Sequence, residues 1–244
     1  MLVIGHRGAS GYVTENTLES IQKALDLNVD GIEIDVQCCA SGEIVVFHDK
    51  ELDRLTNNKG LIEKTNFDEL STILIKEKYK IPTLEEVLEL LDGQILLNIE
   101  LKGKNTAIAT ASILEKHAKK TKNDLKKIIV SSMDWEELTL FKNQNTKIPI
   151  GVLSNYSIFL KEGLNNIIKK GRELNAVAIH PKFSTLNKKA IDMIHSSGFL
   201  VYSWTINKPE DIKKATQLSV DAIITDFPDL VTYDLLNKRK EPHI

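Results

Sequence analysis

A chain of 244 residues with 42% hydrophobic and 27% charged side chains has the make-up of a folded domain, which excludes disorder over most of its length. The formal net charge is −2, from 32 basic and 34 acidic residues, so the totals carry no basic footprint for nucleic acid. Adjacent Cys38 and Cys39 supply neither a disulfide framework nor a cysteine metal site, and both are read as reduced.

In chain order, short apolar runs alternate with helical patterns. The runs are 2–4, 31–36, 95–101, 127–130, 148–153, 176–179, 200–204 and 222–224. Val and Ile dominate most of them, and near-continuous hydrophobicity suits parallel strands buried on both faces. Asn16 or Thr17 caps a helix running to about Leu27, and Thr83 with Glu86 forms a capping box for 84–91. Further helices are expected over 105–118 and 135–142, with later starts at Asn187, Pro209-Glu210 and Asp229. Strand followed by helix, repeated eight times in this length, predicts an α/β fold of the (β/α)8 TIM type. A doubly wound sheet is the alternative. Residues 1–237 are read as a single barrel domain and 238–244 as a frayed C-terminal tail. The rhythm breaks at Ile44 to Phe47, where no helix intervenes after the second strand. Ser41-Gly42 is read as a hairpin turn that folds the overlong second strand back, followed by a polar insertion over about 50–80. The Lys pairs at 119–120, 126–127, 169–170 and 188–189 are read as solvated helix faces. No run reaches the ~20 apolar residues of a membrane span, and the start lacks a leader's basic segment and longer apolar core. No stable membrane insertion and a cytoplasmic location are therefore expected.

The polar residues gather at strand ends. A turn centred on Ser41 and Gly42 sets Asp35 opposite His48, with Glu33 on the same face. Two carboxylates side by side in an apolar strand cost several kcal/mol unless a cation compensates, and carboxylate oxygens suit calcium or magnesium. The third strand repeats the alternation with Asn98, Glu100 and Lys102. Glu100 is a candidate third metal ligand, and Lys102 either meets a phosphate or pairs with Glu100. In Gly5-His6-Arg7-Gly8 the Arg suits bidentate phosphate contact. His6 stands beside it, next to the metal candidates. An imidazole beside carboxylates is expected to have its charged form favoured. Trp204 is read as core or as an aromatic wall for a glycerol or choline group. His180 and Asp226, at later strand ends, stay open between structural and functional roles, and His117 and His195 are assigned to helix surfaces.

These residues resemble the glycerophosphodiester phosphodiesterase family. The likeness lies in Gly5-His6-Arg7-Gly8, Glu15-Asn16-Thr17, Glu33-Ile34-Asp35-Val36 and Phe47-His48-Asp49. It continues through Leu55-Thr56, Asn98-Ile99-Glu100-Leu101-Lys102, Ser203-Trp204-Thr205 and Ile224-Thr225-Asp226-Phe227-Pro228, in the family's order over nearly the whole chain. Thr14 stands where the family usually has Pro, and Ala40-Ser41-Gly42 where it often has Lys-Asp-Gly. Both departures are loop changes. The resemblance implies a TIM-type barrel that hydrolyses glycerophosphodiesters to glycerol 3-phosphate and an alcohol such as choline or ethanolamine. It implies His6 and His48 as general acid and base, Glu33, Asp35 and Glu100 holding a divalent ion, and Arg7 and Lys102 on the phosphate. The nearest rival is a lysophospholipase D on the same barrel, which needs an apolar lip that the loops do not show. A non-catalytic binder would not need both histidines and all three acids, and a sugar-phosphate isomerase would not need this carboxylate cluster.

Overall fold

The computed structural model describes residues 1–121, 125–144 and 147–231. Each apolar run becomes a strand. In chain order they are β1 (Leu2–His6), β2 (Gly31–Cys38), β3 (Ile44–Val46), β4 (Leu74–Ile75), β5 (Tyr79–Lys80), β6 (Leu96–Leu101), β7 (Ile128–Ser132), β8 (Ile150–Ser154), β9 (Ala178–Pro181), β10 (Leu200–Ser203) and β11 (Ala222–Thr225). Strands β1, β2, β6, β7, β8, β9, β10 and β11 pair in parallel around a ring. The first and last strands close it, with Gly5 level with Thr225. This is the (β/α)8 barrel that the alternation predicts. Residues such as Ile34, Ile99, Val152 and Ile223 face outward and pack under the helices. Each such burial contributes about 1.5–3 kcal/mol, which lets the inner face be polar at one end. Ile4, Ile129, Ala178, Tyr202, Ala222 and Ile224 form an apolar plug inside the barrel. None is the last residue of its strand, so the plug lies below the C-terminal mouth, where Ile224 meets the floor of the cavity lined by His6, Glu33 and Glu100.

The helices are α1 (Leu18–Asp26), α2 (Phe67–Leu70), α3 (Leu84–Leu91), α4 (Thr106–Thr121), α5 (Trp135–Gln144), α6 (Tyr156–Glu173), α7 (Lys188–Ser196) and α8 (Pro209–Leu218). Their starts follow the predicted caps. Thr17 accepts from Ser20 N, Thr83 and Glu86 form the reciprocal capping box, and Asn187 accepts from Ala190 N. Asp134 accepts from Glu136 N and Glu137 N. Buried Glu137 then reaches across to accept from Asn105 N and Ala107 N, so a carboxylate of α5 neutralises the N-terminal amides of α4. Helix α6 is absent from the predicted elements. Gly163, with φ +73°, breaks its helical geometry, and Asn165-Asn166 lower its propensity, which obscures the period. The start read at Asp229 falls where residues 228–231 are helical, at the edge of the described residues; the boundary at 237 and the tail 238–244 lie outside them. Among the described residues no helix is long and apolar enough to cross a membrane.

The hairpin departs from the expected register by one residue. Val36 pairs with Val46 and Gln37 with Val45, and Phe47 N donates to Asp35 O. Asp35 therefore faces Phe47, not His48. The cause is a three-residue loop. Cys39 and Glu43 close it through a backbone bond, Gly42 N turns back to Cys39 O, and Gly42 takes φ +101°, a left-handed value that glycine adopts without a Cβ clash. The insertion is also less polar than its composition implies. Leu52, Leu55, Ile62, Leu70, Ile73, Ile75 and Ile81 pack with Val45 and Phe47 into a second, separate core. Their irregular spacing hides them from a periodicity reading.

Candidate active site

Parallel pairing stacks the chemistry at the C-terminal mouth, where barrel enzymes place it. His6 is level with Glu33, and Asp35 with Glu100. Period-two alternation turns Glu33, Asp35 and Glu100 inward. They are 3%, 1% and 8% exposed, and one oxygen from each lies within 4.8 Å of the others. Burial, then the neighbouring carboxylates Asp35 and Glu100, push Glu33 well above the usual range. Burial and Asp35 raise Glu100 to about 7 against the pull of Lys102. Burial would raise Asp35 too, but Arg7, Lys102 and both site imidazoles outweigh it and hold it below the usual range. One ionised carboxylate thus sits between two that resist ionisation. Three converging hard oxygens that repel one another fit a divalent cation of the calcium or magnesium kind, which would relieve the conflict.

A stability prediction follows for the chelated protein. Glu100 binds its proton more tightly in the folded chain, up to about 7 against an ordinary 4.5. Stability is therefore fullest below pH 4.5 for this group and falls as pH rises through 7, by on the order of a few kcal/mol. Chemical denaturation across that range should show the fall, and Glu100→Gln should flatten it. An equally steep profile in the variant would refute the assignment.

Side chains around Asp35 hold it rigidly. Asn16, fully buried with φ +56°, donates from Nδ2 to Asp35 Oδ2 at 2.9 Å and accepts from Asp35 N at 3.2 Å. Arg7 Nε lies 3.1 Å from Asp35 Oδ2, its Nη1 lies 2.7 Å from Glu15 Oε1, and its backbone N donates to Glu33 Oε2. Glu15 also takes a two-pronged contact from Arg54 of the insertion, at 2.9 and 2.7 Å. Glu15, Asn16 and Arg54 were not singled out for these roles. Glu15 appears only inside a quoted motif and Asn16 only there and as a candidate helix cap, a place that Thr17 takes, and no periodicity signals a side chain that serves another side chain.

The two histidines reach the mouth by different routes and are held alike. His6 ends β1, and its Nδ1 lies 2.6 Å from Asp226 Oδ1, with Nε2 3.9 Å from Glu33 Oε2. Asp226 also accepts from Ser10 Oγ and Asn207 Nδ2, and the hydrogen bonds from His6, Ser10 and Asn207 overcome burial to hold it down near 2. His48 lies beyond the end of β3, so the ladder's register does not dictate its direction. Gln37 Nε2 donates to the carbonyls of Phe47 and Asp49 and fixes the segment that carries it. His48 Nδ1 lies 2.6 Å from Asp49 Oδ1, and Arg54 secures Asp49 in turn. An ionised carboxylate accepts only, so each Nδ1 carries the proton and each Nε2 is left for chemistry. The expectation of a favoured imidazolium does not hold at His48. Burial pushes it below the usual imidazole value, with Arg7 and Lys102 adding to this and Asp35 only partly opposing.

Of the two readings of Lys102, the pairing with Glu100 is present. Its Nζ pairs with Glu100 Oε1 at 3.0 Å and lies 3.7 Å from Asp35 Oδ1, while it lines the same cavity as His6, Arg7, Glu33, His48 and Glu100. Trp204 lines that cavity as well, with its Nε1 donating to His180 O at 2.9 Å. His180 is fully buried, stacks on Tyr202 and falls to about 3 through burial, outside the cavity lining. His117 is half-buried on α4, and His195 on α7 contacts Asp221 at 2.8 Å. Asp226 resolves as the partner of His6. On α6, which follows β8, Tyr156 and Leu160 are 55% and 65% exposed.

A family model described as the glycerophosphoryl diester phosphodiesterase family matches residues 6–230. A glycerophosphodiester phosphodiesterase of Caldanaerobacter subterraneus subsp. tengcongensis is 34% identical over 238 residues, covering 93% of this chain and 95% of that protein. The structure of an Oleispira antarctica phosphodiesterase in complex with the product sn-glycerol-3-phosphate matches with a TM-score of 0.85 at 27% identity, over 96% of each chain. A human lysophospholipase D is more distant, 26% identical over 92% of this chain and 83% of that protein. The family match runs from the end of β1 to beyond β11, and the chain belongs to the glycerophosphoryl diester phosphodiesterase family, as an enzyme of the phosphoric diester hydrolase kind.

Proposed function

We propose that the protein hydrolyses glycerophosphodiesters to glycerol 3-phosphate and an alcohol, with His6 and His48 as its acid–base pair. The carrying observation is the matched hold on the two imidazoles, each with Nδ1 bound to a carboxylate, beside three converging acids. The product complex of the Oleispira antarctica relative supports the substrate class. Glu33, Asp35 and Glu100 hold the divalent ion, calcium or magnesium, which would supply charge neutralisation at a phosphoryl oxygen. Arg7 and Lys102 orient the phosphate. Each keeps N–H donors beyond those its carboxylate partners take. Trp204 forms the wall against the glycerol. His48, kept neutral by burial, takes the proton of the attacking hydroxyl, from water or from the glycerol itself. His6 then protonates the departing alkoxide, and Asp226 steadies the imidazolium. The direct test is incubation with glycerophosphocholine and metal, with glycerol 3-phosphate and choline both measured. Absence of both products would overturn the reading.

Asp226→Asn should lower kcat about tenfold or more with KM little changed, because an amide no longer demands the Nδ1–H tautomer. Steady-state kinetics with a melting curve would check it, and an unchanged kcat would remove Asp226 from the mechanism. The exposed Tyr156 and Leu160 favour one second reading, a lysophospholipid substrate. Choline release from lysophosphatidylcholine in the same assay distinguishes it.

A further inference from the structure

The cavity that holds the catalytic side chains has a volume of only about 50 Å³, too little for a whole diester. One substituent of the phosphate must extend outward. Two grooves adjoin the cavity through shared residues. The first, of about 540 Å³, shares Glu100, Lys102 and Met133 with it. That volume lies within the ~300–1,000 Å³ of small-molecule sites. The second, between the start of the insertion and Lys102 just past β6, shares His48 and Lys102 and is otherwise lined by charged side chains from Asp49 to Arg54.

The first groove has a different chemistry. Its floor is apolar, from Leu101, Met133, Trp135 and Ile158. Trp135 is fixed in place by its Nε1 bond to Leu153 O at 3.2 Å. Its rim is acidic. Asp134 and Glu136 share Lys104, at 2.6 and 3.5 Å, and Glu162 lies 3.2 Å from Lys161. Beyond the Glu100–Lys102 pair, three carboxylates therefore face two ammonium groups. An aromatic and aliphatic floor under a net negative rim suits one class of group, a cation whose charge is wrapped in methyl groups. A polyol would leave its hydroxyls unpaired over the floor. The second groove has no Trp, Tyr or Phe ring in its lining to meet such a cation.

Resting on the proposed glycerophosphodiester reading, we infer that the groove between the β6, β7 and β8 ends is the leaving-alcohol subsite and selects a cationic, N-methylated amino alcohol. Trp135, Ile158 and Glu162 are its specificity-determining residues.

Two substrates that share the glycerol 3-phosphate half test this, glycerophosphocholine and glycerophosphoglycerol. Glycerol 3-phosphate release by the metal-loaded protein is measured for each. The wild type should favour the choline ester in kcat/KM by about fivefold or more, the scale of one desolvated cation–aromatic contact with a facing charge. Glu162→Gln should bring that ratio toward one through KM, and Glu162→Lys should invert it. Trp135→Leu should reduce it too. Trp135→Phe, which keeps a ring and loses the bond to Leu153, should retain the preference, whereas a merely structural Trp would slow both esters alike in either variant. Equal wild-type kcat/KM for the two esters, or variants that slow both equally, would overturn the inference while leaving the hydrolase reading intact. Failure to release glycerol 3-phosphate from either ester would overturn the hydrolase reading and this inference with it.

Discussion

Alanine in place of His6 or of His48 lowers kcat for glycerophosphocholine by about 10²–10⁴-fold each, the range for loss of a general acid or base. A phosphodiester repels nucleophiles and has a poor leaving group, so neither proton transfer is dispensable. Neither variant should unfold. The two imidazoles are 15% and 27% exposed, and the apolar cores do not include them. Melting temperatures should therefore stay near the wild-type value while turnover collapses. The double variant should fall little below the worse single one, because groups that act as a unit are not additive. Activity within about threefold of wild type in both single variants, well short of the range above, would reject the acid–base pair.

Exhaustive chelation should abolish hydrolysis, and calcium or magnesium should restore it. Neutralising the phosphoryl charge is worth several kcal/mol, which is about 10³-fold or more in rate. The three acids predict a companion effect on stability. Two of the three carboxylates are pushed toward their protonated forms by burial and one another, so the chelated site is electrostatically frustrated at neutral pH. An ion at a hundredfold excess over its Kd should stabilise the fold by about 2.7 kcal/mol. Glu33→Gln should remove that metal-linked gain. Full activity after chelation, or a melting curve indifferent to metal in the wild type, would reject the ion's role.

The barrel was legible because its signal is repeated: eight apolar runs, most of them rich in Val and Ile and most followed by a helical pattern. The acids were legible for a local reason, since a carboxylate in a buried strand has no cheap explanation. Glu33, Asp35 and Glu100 could be read from alternation alone. His48 could not. Its convergence was expected from a ladder register that the three-residue loop shifts by one, and it arrives instead through Gln37 gripping the backbone beyond the strand. The partners of the imidazoles were hidden for a related reason. Asp226 lies 220 residues from His6, and only the closed ring makes them neighbours. The apolar half of the insertion and helix α6 were missed because neither keeps a regular period.

The pairing of His6 with Asp226 has a consequence for synthesis. The first imidazole to leave the ribosome waits for nearly the last strand before its ring is oriented, because β1 and β11 must zip together first. Long-range closure of this kind is slow relative to local helix formation. A nascent chain can hold all three acids, both histidines and Lys102 by residue 102 and still be silent. Recovery of turnover in refolding should accordingly lag the recovery of helical signal, so that catalysis itself times the moment the ring shuts.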